Sequence, residues 1–383
     1  MGNKKIKILL ALTYYAPHVS GLTIYVQRLA KAMAQRGHQV TVLTSHYQKG
    51  LPLREWVDGV GIVRVPVLLR VSKGVVMPTL PASVYSLVRK SDVVSVHLPQ
   101  LEGSIPALMG RLAGKKVVLT YHCDLQLPPG RFNRVVEGLA MASNVAAARL
   151  ADAIVTYTQD YADNSPYLSK FRHKTHTIYP PIEVSQPSEE EENEFRRRIG
   201  VDGKVVIGFA ARLAREKGAG YLLEALPMIR ERFPNASIVF AGEYLNVLGE
   251  NVFAELGHLI DKQRDSLQFL GVLPPTDMGK FFSVCDVLTV PSINSTESFG
   301  LVQVEAMLCG TPVVASNLPG VREAVRITGM GEIAQPRDSA GLARQIVNVL
   351  ENRAKYVRPR EHISRLFDVE ATVDEYEKLF GVR

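Results

Sequence analysis

The amino-acid sequence predicts an α/β protein built from two doubly wound domains, and three observations predict it. Apolar strand candidates alternate with segments of helical length along the whole chain. That rhythm breaks once, at PPIEVSQPSEEEENEF over 180–195, and then restarts. The 383 residues also exceed one ordinary core and suit two domains of roughly 150–200 residues each.

In the first half, KIKILLAL leads through a turn into LTIYVQRLAKAMAQRGH, where Val26, Leu29, Ala30 and Met33 mark one helical face and Gly37 ends it. QVTVLTS follows as a strand. DVVSVHL at 92–98, KKVVLTYH at 115–122 and DAIVTYT at 152–158 continue the series, with a helix over 131–150 before the last. The interdomain linker is expected in 180–195, where three prolines and an acidic cluster interrupt the pattern. Beyond it KVVIGFAA, ASIVFAG, SLQFLG, DVLTVPS and PVVAS read as strands of a second parallel sheet. Helices are expected at about 339–351, 354–366 and 370–381, the last crossing back to the first domain. The expected division is therefore 1–183 for the first domain and 184–364 for the second, with a terminal helix over about 365–383 returning to the first. Two such domains leave a cleft, and ligands of doubly wound sheets bind beyond the carboxyl ends of the strands.

The composition, 46% hydrophobic and 22% charged, is that of a globular protein with a sizeable core. Cys123, Cys285 and Cys309 lack the paired spacing of a zinc site or disulfide framework, so a reducing cytoplasm and no structural metal are expected. The apolar run from Ile6 to Leu12 reads as a buried first strand rather than a signal core. No stretch approaches the roughly 20 apolar residues that span a bilayer, so any membrane contact would be peripheral, on the inner face. Residues 1–185 carry 22 Lys and Arg against 10 Asp and Glu, whereas 186–383 carry 23 against 28. The basic half suits an anionic partner, or else its charge is spread over a solvated surface. No nucleic-acid-binding motif accompanies it.

The unusual polar residues fall at strand ends. RLAREKG places Arg212 and Lys217 in a turn entering a helix, where two cations beside free N–H groups suit a diphosphate; an ordinary exposed basic loop is the alternative. His122 ends KKVVLTYH, with Asp124 positioned to orient its ring, and His97 ends a neighbouring strand; lone histidines of this kind are more often structural. Gly21 opens the first helix and would let backbone approach a ligand. No GxGxxG, GxxxxGK[ST] or DxD occurs, which argues against a nicotinamide dehydrogenase, a P-loop kinase and a phosphate-bridging metal. In NSTESFGLVQVEAMLCGTPVVAS, Glu297 precedes a short helix and Glu305 lies on it among Leu301, Val302, Leu308 and Cys309. A carboxylate in apolar surroundings needs a partner or a task. With a diphosphate beside Arg212 and Lys217, the N–H groups of Ser298, Phe299, Gly300 and Leu301 would cradle its other side. Glu297 would then face sugar hydroxyls and Glu305 a ribose diol: a nucleotide-sugar site.

This pattern resembles the retaining GT-B glycosyltransferases of family 4 (glycosyl transferases group 1) over nearly the whole chain. The resemblance rests on Glu297-SFGLVQV-Glu305, continued by AMLCGTPVVAS and LPGVREAV; on GFAARLAREKG; on SGLTIYVQRLAKAMAQRGHQVTVLT; and on His122 in TYHCD. It implies the GT-B fold, two Rossmann-like domains with a donor-binding second domain and an acceptor-side first domain, and a retaining, metal-independent hexosyltransferase needing no cofactor. Arg212 and Lys217 would stabilise the leaving diphosphate, Glu297 hold the donor sugar, and Glu305 the ribose. Phe299–Leu301 amides would meet phosphate or sugar, and His122 the sugar near its reacting carbon. The Gly21 loop would close over the phosphates, and the base would lie near Leu270, Gly271 and Val272. The opening loop reads SG where many relatives have two glycines. The resemblance favours a UDP-sugar over GDP-mannose. Tyr14, Tyr15, Arg131 and Arg134 with the basic first half point to a lipid-linked or glycan acceptor at an anionic surface. A sugar-nucleotide epimerase or phosphorylase of the same architecture, or a sugar-nucleotide-binding protein without turnover, is the alternative reading.

Overall fold

The computed structural model describes residues 4–71, 74–127, 130–245, 247 and 250–382. The chain divides into two compact units, Met1–Pro181 with Asp368–Arg383, and Ile182–Phe367.

Unit 1 opens with β1 (Lys7–Ala11), α1 (Gly21–Gln35) and β2 (Gln39–His46). Ser20 caps α1 by accepting from the Thr23 amide at 3.2 Å. The hairpin β3 (Arg54–Val57) and β4 (Val60–Pro66), not expected from the sequence pattern, adds an antiparallel edge strand to an otherwise parallel sheet. Asp58 and Gly59 turn it with φ of 53° and 77°, the positive pair a tight hairpin requires. A short hairpin of β5 (Leu69–Val71) and β6 (Gly74–Val76) precedes α2 (Leu80–Val88), β7 (Val93–Leu98), α3 (Ser104–Leu112) and β8 (Lys116–Tyr121). Then come α4 (Arg131–Leu150), β9 (Ala153–Thr156), α5 (Gln159–Asn164) and β10 (Thr175–Thr177). The sheet order is β10-β9-β8-β7-β1-β2-β4-β3, so the order reverses between β1 and β7.

In unit 2 the acidic run is not an irregular linker. From Glu189 it forms α6 (Glu189–Arg198), because Ser188 and Glu191 close a capping box and four glutamates sit in the first turn, where the helix dipole favours them. After α6 come β11 (Val205–Ala210), α7 (Ala219–Arg232), β12 (Ala236–Ala241), α8 (Val252–Glu255), α9 (Gly257–Lys262) and β13 (Leu267–Phe269). The series continues with α10 (Pro275–Val284), β14 (Val287–Val290), α11 (Leu301–Leu308), β15 (Val313–Ser316), α12 (Glu323–Thr328) and β16 (Gly331–Ala334). All strands run parallel in the order β13-β12-β11-β14-β15-β16, reversing between β11 and β14. After α13 (Ser339–Glu351), the helix expected over 354–366 is two pieces, α14 (Arg353–Tyr356) and α15 (Arg360–Leu366). Pro359 lacks an amide and forces the residue before it out of helical geometry, which breaks the run.

The last helix, α16 (Val369–Phe380), belongs to unit 1. Tyr376 Oη lies 2.6 Å from Tyr25 Oη and 2.8 Å from Thr120 Oγ1 in the core. Arg36 at the end of α1 ion-pairs with Glu370, Asp374 and Glu377, and buried Glu377 lies 3.0 Å from His38 Nε2. A buried carboxylate needs such partners.

Candidate functional site

Unit 2's sequence-expected residues converge on the carboxyl edge of its sheet, beside the reversal between β11 and β14 where doubly wound sheets hold ligands. Arg212 and Lys217 follow β11, and Glu297 follows β14. Lys217 Nζ lies 2.6 Å from Glu297 Oε2, with 21% and 18% of the two side chains exposed. Arg212 Nη2 lies 3.0 Å from Glu216 Oε1, a partner that sequence reasoning missed. Both cations are thus held in place while keeping access to solvent, as groups awaiting an anion must be.

The loops at this edge are knitted together by backbone. Ile293 N donates to Glu216 O at 3.0 Å, Leu213 N to Glu243 O at 2.8 Å, and Gly242 N to Gly271 O at 2.7 Å. Gly218, directly after Lys217, takes φ +72°, and a Cβ there would stand 2.0 Å from the Pro291 carbonyl oxygen. Only glycine permits that approach, which brings the Lys217 turn against the chain leading to Glu297.

Gly300 at φ +76° caps α11 without a side-chain bond, so the first amides of the helix are oriented by backbone alone. Gln303 donates from Nε2 to Phe299 O at 2.6 Å and to Val321 O at 3.0 Å, bracing that turn. Phe299 is fully buried, its ring edge-on to Phe367 with centroids 5.9 Å apart. Ser298 is buried, and Glu305 is only 5% exposed on α11, where seven of eight residues are buried. Gly271 and exposed Val272 follow β13, two strands from β11.

Unit 1's expected residues have a different environment. His122 follows β8 and His97 lies near the end of β7; the rings meet with His97 Nδ1 3.0 Å from His122 Nε2. His122 Nδ1 bonds the Tyr157 hydroxyl, and the Tyr25 ring stands edge-on at 5.0 Å. Burial holds His97 down to about 3 and His122 well below the ordinary histidine range, so both rings are neutral near pH 7. Asp124 does not orient His122: it accepts instead from Tyr121 Oη at 2.9 Å and Ser165 Oγ at 2.7 Å, because the chain carries its carboxylate toward α5 rather than back to the strand end. Tyr15 is buried in the core and offers no surface to an acceptor, whereas Arg131 and Arg134 are exposed on α4. Gly21 is the first residue of α1.

Comparison with known proteins follows the same division. Residues 191–365 match the family model described as glycosyl transferases group 1, and residues 20–180 match the glycosyl transferase 4-like domain. An uncharacterized glycosyltransferase of Methanocaldococcus jannaschii is 28% identical over 368 residues, 90% of this chain and 89% of that protein. The D-inositol 3-phosphate glycosyltransferase 1 of Catenulispora acidiphila is 28% identical over 357 residues, 88% of this chain and 83% of its own length. Among solved structures, Anabaena HepE in complex with UDP-glucose aligns with a TM-score of 0.77 at 21% identity, over 99% of this chain and 100% of that one. At that identity the likeness establishes the fold, GT-B with two Rossmann-like domains.

Proposed function

The chain is a GT4-like glycosyltransferase, and from that premise we propose that it transfers a hexosyl group from a nucleoside-diphosphate sugar to a hydroxyl acceptor. The observation that carries this reading is the Lys217–Glu297 pair at 2.6 Å beside the strand-order reversal, with Arg212 on the same loop as Lys217. The donor is a UDP-sugar in preference to GDP-mannose, a choice supported by the UDP-glucose complex of HepE. The acceptor is lipid-linked or a glycan.

Breaking the bond between the anomeric carbon and phosphate places negative charge on the departing diphosphate and positive charge on the ring. Lys217 and Arg212 neutralise the former, and a diphosphate competes with Glu297 for the Lys217 ammonium, leaving Glu297 to accept from the sugar hydroxyls. The amides of Phe299, Gly300 and Leu301 donate to phosphate or sugar, Glu305 accepts from the ribose, and the Gly271–Val272 backbone meets the base. The family resemblance assigns His122 to the sugar and Gly21 to the phosphates; His122 takes that role only by releasing His97 or Tyr157, which hold its two ring nitrogens. We take the reaction to retain anomeric configuration, with attack on the face the phosphate leaves and the acceptor's proton passing to that phosphate. Two cations and an amide turn do this work without a metal. No helix among the described residues is long and apolar enough to cross a membrane; we place the enzyme in the cytoplasm, reaching a membrane-borne acceptor from the surface.

Thermal unfolding against UDP-, GDP- and ADP-sugars tests the donor assignment, since a ligand at 100 times its Kd adds about 2.7 kcal/mol. Stabilisation by UDP-sugars that disappears in Lys217→Ala is expected; equal stabilisation of that variant would remove the assignment.

A further inference from the structure

We propose that the exposed face of the first three turns of α4 docks on an anionic lipid surface. Phe132, Val135 and Leu139 recur at helical spacing and are 64%, 62% and 60% exposed. The adjacent face, about 100° round the helix, buries Val136, Ala140, Asn144 and Ala147. The helix is therefore seated on unit 1 by one face, and its apolar surface continues round onto a side left in water. Three large apolar side chains held out together on one helix form a patch that asks for an occupant.

Charge chooses the occupant. Arg131 and Arg134 are exposed on the same turns and lie along the side of the apolar row away from the buried face. The helix has one acidic residue, Glu137, whose carboxylate accepts from the Leu127 amide at 3.1 Å and is thereby drawn into the preceding loop. The outward arc thus carries two cations and no anion, within a segment, residues 1–185, whose Lys and Arg outnumber its Asp and Glu by 22 to 10. A second copy docking by this face would set arginine against arginine. An anionic bilayer surface instead receives apolar side chains at its acyl boundary and arginines at its headgroups, the arrangement of a helix lying in the interface. The sequence alone showed the arginines; burial of the other face showed which apolar residues stand beside them. This deepens the reading above, resting on it for an acceptor carried at a lipid surface.

The test is flotation of the full-length protein with vesicles of phosphatidylcholine alone or containing about one third phosphatidylglycerol. The wild type floats with the anionic vesicles and binds neutral ones about 25-fold more weakly, since each of the two arginines near an anionic surface is worth about fivefold. Phe132→Ser, Val135→Ser and Leu139→Ser combined abolishes flotation while its stabilisation by a UDP-sugar is unchanged, which shows an intact donor site. Arg131→Glu with Arg134→Glu removes the preference for anionic lipid. Wild-type flotation by the triple variant, or none by the wild type, would overturn the docking proposal. So would a concentration-dependent dimer in light scattering that the triple variant loses, which assigns the face to a second copy. If UDP-sugars fail to stabilise even the wild type, the donor reading fails while flotation still decides the docking face.

Discussion

At the carboxyl edge of the unit 2 sheet, Lys217 and Glu297 meet at 2.6 Å with about a fifth of each side chain open to water; at the same edge of unit 1, His97 and His122 meet at 3.0 Å with almost none. Topology is shared, since each sheet reverses its strand order beside these residues. Solvation differs. The open pair keeps formal charges available to a charged ligand, and the closed pair is stripped of charge by burial, so tyrosine hydroxyls take the place of counter-ions. A doubly wound edge is therefore a location, and whether it acts through charge or through neutral hydrogen bonds depends on how much water the surrounding side chains admit.

Removing the charge from unit 2 should have the largest effect. Lys217→Ala and Glu297→Ala are each expected to lower transfer by a factor on the order of 10² to 10³, while the protein still unfolds cooperatively. The stability change should stay within about 1 kcal/mol, because a solvent-accessible pair contributes little to folding. Turnover like the wild type's in either variant would break the comparison at its charged end.

The neutral end is tested by acid. His97 and His122 have folded values depressed below their unfolded one, so the unfolded chain binds more protons as pH falls below 6.5. The His97 contribution is complete above that pH and is lost as pH drops toward about 3, and His122, coupled to it, adds loss in the same direction. Urea unfolding from pH 7 to pH 4 should show this loss, and His97→Asn should flatten it; an unchanged slope would mean the rings are not held neutral by burial.

Glu102 sharpens the same point with the opposite sign. Among the described residues its buried carboxylate oxygens have no side-chain partner near the end of β7, and burial pushes it up to about 7 against a weaker opposing pull from backbone. A raised folded value means the native protein binds the extra proton, so stability falls as pH rises from 4.5 to 7. Glu102→Gln should therefore stabilise the protein at pH 8 by up to about 3 kcal/mol and leave it unchanged at pH 4.5. Equal effects at both pH values would show that the carboxyl is already solvated.

Much of this architecture was legible in local pattern. The β1–α1–β2 opening, the restart after the proline-rich break, and the helix between Glu297 and Gly310 follow from apolar periodicity and glycine punctuation, which depend only on near neighbours. Some local signals were present but outweighed: the Asp58–Gly59 turn marks the β3–β4 hairpin, and Ser188 with Glu191 marks the start of α6 inside an apparent linker. The residue types at the candidate site were legible too, because carboxylates and cations at strand ends are unusual enough to be noticed singly.

Pairing was not. Lys217 finds Glu297 80 residues away, His122 finds His97 and Tyr157 across neighbouring strand ends, and α16 inserts Tyr376 beside Tyr25 from the far end of the chain. By itself the sequence determined two doubly wound α/β domains and the kinds of polar group at their edges, since hydrophobic periodicity and side-chain chemistry are carried by the residues themselves. Only the tertiary structure decided which of those groups meet and which stay wet, because a hydrogen bond or ion pair needs positions set within a few tenths of an ångström by the packing of strands distant in sequence, and burial is a property of everything packed around a residue.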